Sequence, residues 1–498
     1  MRPSEARVEP RLCDAAPDEH VGVSEVGMKK SDWQAILDAV NQPALKYLES
    51  LPDRRVYRPT DPDEIRALVG GPLPEHPTAA QDVIADLARN LEPFLTAHSS
   101  GRYFGFVIGG LHPAAYGAEL LTSTWDQNAG LYAATPGVAV IEHVAQEWLL
   151  DLLDLPRGSS VGFVTGGQMA NFTCLAAARD AVLRQVGWDV ESEGLQGAPR
   201  INVVVKSEKH STVARALRYL GLGYSSAIEV PSDEQSRMDV GGLIGTLSRL
   251  DGPTIVCVEA GNVNTGSFDA FDRIADAVEE HRTNGTPIWI HADGAVGLWA
   301  RAADARRHLG LGLERLDSWS TDAHKLLNVA YDSGIAICRD ASAHRAGMSV
   351  HASYLIHSES ELARDPMDWN PEFSRRARGV GVYATLRALG RSGVSELVDR
   401  ACNLAGQFAD ALRGTRKADI LNEVAFNQVL VRWLAEDGDH DGFNDRVIER
   451  VQHDGTAFFS GTTWNGMRLM RLSVSDWATD EDDIQRAFGA LMHAASAG

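Results

Sequence analysis

The chain reads as an α/β protein, on three observations. Short apolar runs, "INVVV" (201–205), "TIVCVEA" (254–260), "PIWIHAD" (287–293) and "GIAICRD" (334–340), are separated by helical or loop segments. Near-continuous apolar strands of this length with helices between them predict a parallel-rich sheet covered on both faces. "VGFVTGG" (161–167) ends a strand in two glycines and runs straight into the helical pattern "QMANFTCLAAARDAVLRQV" (168–186). The 498 residues, 44% of them hydrophobic, are roughly three times the ~150 expected of one domain and can fill a sizeable core.

In chain order, residues 1–27 read as a disordered tail rich in Pro, Glu, Asp and Ala, and Met28 opens the first pattern. Ser31 stands as an N-cap before Trp33, Ile36, Leu37 and Val40, which keep a helical spacing. "DEIRALV" (63–69) and "AAQDVIADLARNLEPFL" (79–95) follow as two more helices. Such a helical segment, 28–98, cannot bury much alone and is expected to pack on a neighbour, a partner subunit included. "GVAVIEHVAQEWLLDLL" (137–153) carries Ile141, Val144, Trp148 and Leu152 on one face, an amphipathic helix within a large domain spanning 99–380. From 381 to 498 a long helical stretch, strand-like "NQVLVRWL" and "MRLMRLSV", and a closing helix from "TDEDDI" predict a small α+β domain.

The charge balance, 47 − 68 = −21, argues against nucleic acid as a partner, since such proteins present a basic footprint. No apolar stretch reaches the ~18 residues of a membrane span, and the N-terminus has no apolar signal core. The five cysteines are scattered, without a CxxC pair; Cys257 and Cys338 fall in apolar runs and are expected as buried thiols. Together these predict a cytoplasmic protein, and no metal site is expected.

Four motifs carry chemistry. In "TGGQMAN" (Thr165, Gly166, Gly167, Gln168 to Asn171) two glycines at a strand-to-helix turn leave backbone N–H groups free for a phosphate. A tight turn would need the same glycines, so this motif is weak alone. Asp293 in "WIHADGA" belongs at the C-terminal end of a strand, where α/β sheets bind ligands; it could pair with a bound cation or simply cap the next helix. Lys325, in "DSWSTDAHK", sits in a stretch short of cations. A lysine in a desolvated, partly apolar setting can lose its charge and form a Schiff base with an aldehyde. His210, in "KHSTV", lies between a strand and a helix, where it could stack on a ring or handle protons. A phosphate cradle, a carboxylate for a ring nitrogen, a flat partner and a Schiff-base lysine fit one cofactor, pyridoxal 5'-phosphate.

The order "TGGQMAN", "KHSTV", "WIHADGA", "DSWSTDAHK" resembles the group II pyridoxal-phosphate-dependent amino-acid decarboxylases, the aromatic amino-acid and glutamate decarboxylase family. "SSGRYFGFVIGG", "ATPGVAVIE", "FSRRARGVGVYATLRALG" and "RLMRLSVSDWATDEDDI" extend the resemblance over about residues 30–495. It implies fold type I, that of the aspartate aminotransferases, with a seven-stranded sheet, and a homodimer with active sites at the interface. By resemblance Lys325 would hold the cofactor covalently, with His324 beside the phosphate, Asp322 among the cofactor-binding residues and Asp293 on the ring nitrogen. His210 would stack on one ring face and Ala295 would pack on the other. Thr165, Gly166, Gly167, Gln168 and Asn171 would surround the phosphate, and Asn262 would also contact the cofactor. Phe106, Val107, Ile108 and Tyr354 would line the substrate pocket.

Two departures stand out. Where the animal aromatic amino-acid decarboxylases carry a loop tyrosine that returns the proton, the matching position is Pro366, with Tyr354 and His357 upstream. "AGNVNTG" places Asn262 and Val263 where the family usually has two threonines. The expected activity is decarboxylation of an L-amino acid, a small-molecule substrate; the apolar "FVI" wall favours an aromatic or otherwise apolar side chain over glutamate. An aldehyde synthase, in which oxygen intercepts the reaction, is the alternative. A transaminase and a non-catalytic pyridoxal-phosphate-binding protein rank below both.

Overall fold

The structure, a computed structural model, describes residues 33–208, 210–349 and 363–496. It forms two units. The first, within 33–50 and 60–95, holds α1 (Trp33–Ser50), α2 (Pro62–Val69) and α3 (Ala80–Leu91). Asp61 caps α2 by accepting from the Asp63 N–H, with Pro62 at the first turn. None of the three helices contains a buried residue, and Trp33, Leu37, Leu45, Leu68, Val83 and Leu87 are exposed. The expected cap Ser31 lies outside the described residues.

The second unit holds the other described residues. After α4 (Pro113–Trp125) and α5 (Pro136–Leu152) the chain enters a large sheet with β1 (Ser160–Val164), β2 (Asn202–Lys206), β3 (Ile228–Val230), β4 (Thr254–Glu259), β5 (Ile288–Asp293), β6 (Ser318–Asp322) and β7 (Gly334–Cys338). The intervening helices are α6 (Gly167–Arg184), α7 (Val190–Glu193), α8 (Ser211–Tyr219), α9 (Val240–Leu247) and α10 (Phe271–Thr283). Spatial order is β1-β7-β6-β5-β4-β2-β3. Every neighbouring pair is parallel except those made by β7, which runs against both β1 and β6. Seven strands, parallel-rich, meet the expectation.

Strand β6, "SWSTD", was not among the expected strands because it is polar. It is fully buried all the same, since its polar groups are paired. Ser318 Oγ accepts from Trp289 Nε1 at 2.8 Å and lies 2.9 Å from His291 Nδ1, and Ser320 Oγ donates to Asn171 Oδ1 at 2.7 Å. Register aligns Glu259, Asp293 and Ser320 across β4, β5 and β6, and Asp322 with Gly334 across β6 and β7. The C-terminal ends of the parallel strands therefore bring Thr165, Asp293 and Asp322 to one rim.

Helix α5 buries a different stripe from the one its spacing suggested. Val138, Glu142, Ala145 and Leu149 are buried; of the expected face Leu152 is buried too, while Ile141, Val144 and Trp148 are only partly so. The reason is Glu142, whose two oxygens lie 2.9 and 3.0 Å from Arg375 Nη1; Trp148 instead stacks on Tyr383 with ring centroids 4.9 Å apart. Then come α11 (Ala341–Met348), α12 (Arg378–Thr415) and β8 (Ala418–Ile420), followed by β9 (Gln428–Trp433) and α13 (His440–Asp454). The chain closes with β10 (Ser460–Trp464), β11 (Met467–Ser473) and α14 (Glu481–Ser496). The four last strands form an antiparallel sheet in the order β10-β11-β9-β8. The expected boundary at 380/381 falls inside α12, whose single non-helical residue is Gly390 at φ 61°.

Cys174, Cys257, Cys338 and Cys402 are buried free thiols. No described helix is long and apolar enough to cross a membrane.

Candidate active site

Asp293 ends β5 and is 5% exposed. It caps no helix: Oδ1 accepts from the Ala295 N–H at 3.2 Å, and Oδ2 from Asn171 Nδ2 at 2.9 Å and Thr212 Oγ1 at 3.3 Å. Burial alone would push this carboxyl up. The charge at His210, the Asn171 hydrogen bond, and the charges at His291 and Lys325 outweigh it and hold the group below the usual carboxylate range. The result is a buried anion at the rim of the sheet.

Asn171 is the residue that fixes it. The sequence placed Asn171 near the phosphate; the structure turns it toward Asp293. Its Oδ1 accepts from His291 Nε2 at 2.8 Å and from Ser320, while Nδ2 donates to Asp293 and to Thr212 Oγ1 at 3.1 Å. Being one turn into α6, it faces the sheet rim instead of the turn that starts the helix. All four of its hydrogen-bond partners are side chains from other elements, so the amide cannot rotate without losing them.

His210 caps α8. Its Nδ1 lies 3.3 Å from the Thr212 backbone nitrogen and 2.7 Å from Thr212 Oγ1.

Lys325 follows β6. Its surroundings differ from the apolar setting expected: Nζ lies 3.0 Å from Asp322 Oδ2. His324 Nδ1 accepts from the Ser333 N–H at 3.2 Å, its Nε2 is 3.4 Å from Asp322 Oδ1, and burial lowers its pKa. Tyr331 stacks on its ring, centroids 4.3 Å apart and planes at 27°. Asn328, fully buried at φ 57°, ties this loop down. It donates to the carbonyls of Lys325, Leu326 and Ser475 and accepts from the Gly110 and Trp477 N–H groups. A side chain on Gly109 would meet the Lys325 carbonyl at 2.0 Å, so the lysine backbone is held from both sides.

The turn at Gly166 and Gly167 passes the same point. Gly167 N–H donates to Asp322 Oδ1 at 2.5 Å. A Cβ on Gly166 would meet the His324 ring at 3.1 Å, and one on Gly167 the Asp322 carboxylate at 2.9 Å. Both polar atoms of the Gln168 side chain are buried without a partner, a cost seldom left standing unless a ligand meets it. An anion cradle at a helix N-terminus, a lysine, a fixed carboxylate and an imidazole on one rim fit pyridoxal phosphate.

Other expected site residues lie elsewhere. Asn262 is spent on its own turn, accepting from the Asn264 and Thr265 N–H groups and donating to Glu259 at 2.9 Å. Val107 is buried in the main core, and Ile108 packs against a separate cluster of Val56, Tyr103 and Phe458. Only Phe106 of the "FVI" wall, 59% exposed, lines a cavity with His210. Adjacent left-handed residues, Phe106 at φ 54° and Val107 at φ 60°, are what turn the two side chains apart. Tyr354 and His357 lie outside the described residues, and Pro366 opens a buried 3₁₀ turn.

That cavity, about 590 Å³, is also lined by Val263, Asn264, Trp464 and Arg471. Arg471 was not anticipated, because "RLMRLSV" reads as an ordinary strand. It is 8% exposed, its Nε has no partner, and Nη1 reaches only the Val263 carbonyl at 3.2 Å and Asn264 Oδ1 at 3.5 Å. Burial lowers its pKa to about 10, which leaves it a cation at neutral pH. Among the described residues no carboxylate pairs with it.

Comparison with known proteins points to the same cofactor. A sequence model of the pyridoxal-dependent decarboxylase conserved domain matches residues 62–433. The chain is 26% identical over 480 residues to an aromatic-L-amino-acid decarboxylase of Bacillus atrophaeus, covering 94% of this chain and 95% of that one. It is 23% identical over 478 residues to a phenylacetaldehyde synthase of a Rosa hybrid cultivar, covering 91% of each. The crystal structure of Oryza sativa TDC with PLP and tryptamine superposes with a TM-score of 0.86 at 22% identity, covering 94% of this chain and 98% of that one. The chain belongs to the pyridoxal-dependent decarboxylase family and is an enzyme that uses pyridoxal phosphate to decarboxylate an amino acid.

Proposed function

We propose that the substrate is an aromatic or otherwise apolar L-amino acid, released as its amine and CO2. Bound pyridoxal phosphate supplies an aldehyde carbon for the lysine and an electron-withdrawing ring. Lys325 provides the amine for that carbon, and Gly166, Gly167 and Gln168 hold the phosphate. Asp293 faces the ring nitrogen as a fixed anion and keeps it protonated; that buried, multiply bonded carboxylate is the observation that carries the reading. His210 gives the ring a flat partner, and Arg471 takes the substrate carboxylate. Phe106, Val263 and Trp464 give a largely polar cavity its apolar part, and the Glu208 carboxylate on the same lining disfavours an acidic side chain.

We infer a cytoplasmic homodimer with the sites at its interface. Supporting this are the buried free thiols, the exposed apolar residues on α1 and α3, and Leu120, Leu121 and Trp125 exposed on α4. The exposed faces of Phe106 and Tyr331 at the site itself add to it. Pro366, with no phenol at that position, and the resemblance to a phenylacetaldehyde synthase favour a second reading, in which oxygen diverts the reaction to an aldehyde. One assay separates the two. The holoenzyme is incubated with the common amino acids while amine, aldehyde, CO2, ammonia and peroxide are quantified. Amine equal to CO2 from an aromatic substrate supports the first reading; equal aldehyde, ammonia and peroxide support the second. Turnover confined to acidic amino acids overturns the substrate assignment.

A further inference from the structure

A carboxylate stands inside the anion cradle. Asp322 Oδ1 takes the Gly167 N–H at 2.5 Å, and Oδ2 lies 3.0 Å from Lys325 Nζ. Asp322 is 3% exposed, and a Cβ on Gly167 would touch it at 2.9 Å, so it is pressed against the turn. Few charges face it. On its own loop are Lys325 and His324 Nε2 at 3.4 Å, with Tyr331 and Asp332 on the far side of the imidazole. From α6 comes only the positive helix end, worth about half a charge. Gln168 and Thr165 are neutral.

A phosphate dianion on the same turn adds two negative charges beside Asp322, set against one helix terminus once Lys325 Nζ is committed to the aldehyde carbon. Acidic groups packed this closely do not all stay ionised; they share a proton. We propose that this enzyme takes up its cofactor together with one proton, held between the phosphate and the Asp322 carboxylate. The inference rests on the use of pyridoxal phosphate, and it adds the charge state in which the phosphate is held.

The test uses the cofactor-free full-length protein and two probes, pyridoxal phosphate and pyridoxal, titrated by absorbance and protein fluorescence from pH 7.5 to 9. In that range a free phosphate, with its second ionisation near pH ~6, is already a dianion. The ratio of the two affinities isolates the phosphate from the aldehyde and ring. For one linked proton the wild-type ratio falls about tenfold per pH unit. Asp322→Asn offers an amide hydrogen in place of the shared proton. Its ratio is expected to be flat with pH, and at pH 9 to favour pyridoxal phosphate over pyridoxal at least tenfold more than the wild-type ratio does. A flat wild-type ratio overturns the proposal even if the variant fails to fold, and so does a variant that keeps the wild-type slope. Failure of the wild type to bind pyridoxal phosphate at all would overturn the cofactor assignment along with it.

Discussion

Replacing Asn171 with Asp changes one heavy atom and tests how Asp293 is kept charged. In the wild type an amide nitrogen sits 2.9 Å from Asp293 Oδ2. In Asn171→Asp that nitrogen becomes an oxygen, and two carboxylates meet at the same separation. At 2.9 Å and an effective dielectric of ~20, two unit charges repel by about 6 kcal/mol, so the pair carries one proton at neutral pH. The proton goes toward Asp293. His291 Nε2 and Ser320 Oγ already donate to the Oδ1 of residue 171 and favour charge there, whereas Asp293 keeps only Thr212 and the Ala295 N–H. On the proposed role of Asp293, the ring nitrogen would then lose its anionic partner while shape and packing stay nearly the same. Steady-state turnover with the best amino-acid substrate should fall by 100-fold or more in kcat, with KM changed far less and the melting temperature within a few degrees of wild type. A variant that keeps kcat within threefold of wild type would refute the claim that Asn171 holds Asp293 ionised.

Two further outcomes follow from groups outside that network. Arg471→Met keeps the volume in the cavity and removes the cation; hydrogen bonds to charged groups contribute about 1.5–3 kcal/mol, so KM for the amino acid should rise tenfold or more, measured by initial rates. Asp476 is buried beside Gly110, and burial raises its pKa from 3.8 to about 7. The native state therefore binds a proton there that the unfolded chain releases, and stability falls as pH rises from about 4 to about 7. Asp476→Asn removes that slope: relative to wild type it should gain about 2–3 kcal/mol between pH 5 and pH 8, read from urea unfolding of the holoenzyme at both values.

What the sequence disclosed and what it hid divide along physical lines. Strands β1, β2, β4, β5 and β7 were legible because both their faces are buried, so apolar residues run unbroken. Strand β6 was not, since a strand whose serines are paired by Trp289, His291 and Asn171 carries no apolar signature. That Lys325, Asp293 and the Gly166–Gly167 turn meet at one rim was legible because each stands at or just beyond an element's end. Arg471 could not, because its significance lies in the missing partner, a property of space and not of order. Asn171 was found but given the wrong neighbour: one helical turn decides whether a side chain faces the cradle or the sheet. The "FVI" segment misled for a similar reason, as two left-handed residues broke the alternation on which a shared wall depends.

The backbone at Phe106 and Val107 has a bearing on stabilised variants. Holding a bulky and a β-branched residue left-handed costs of order 1–3 kcal/mol apiece, so glycine at either position would look attractive to anyone seeking a hardier enzyme. Such a change would keep the bend but delete the side chain it aims, into the main core at Val107 or into the cavity beside His210 at Phe106.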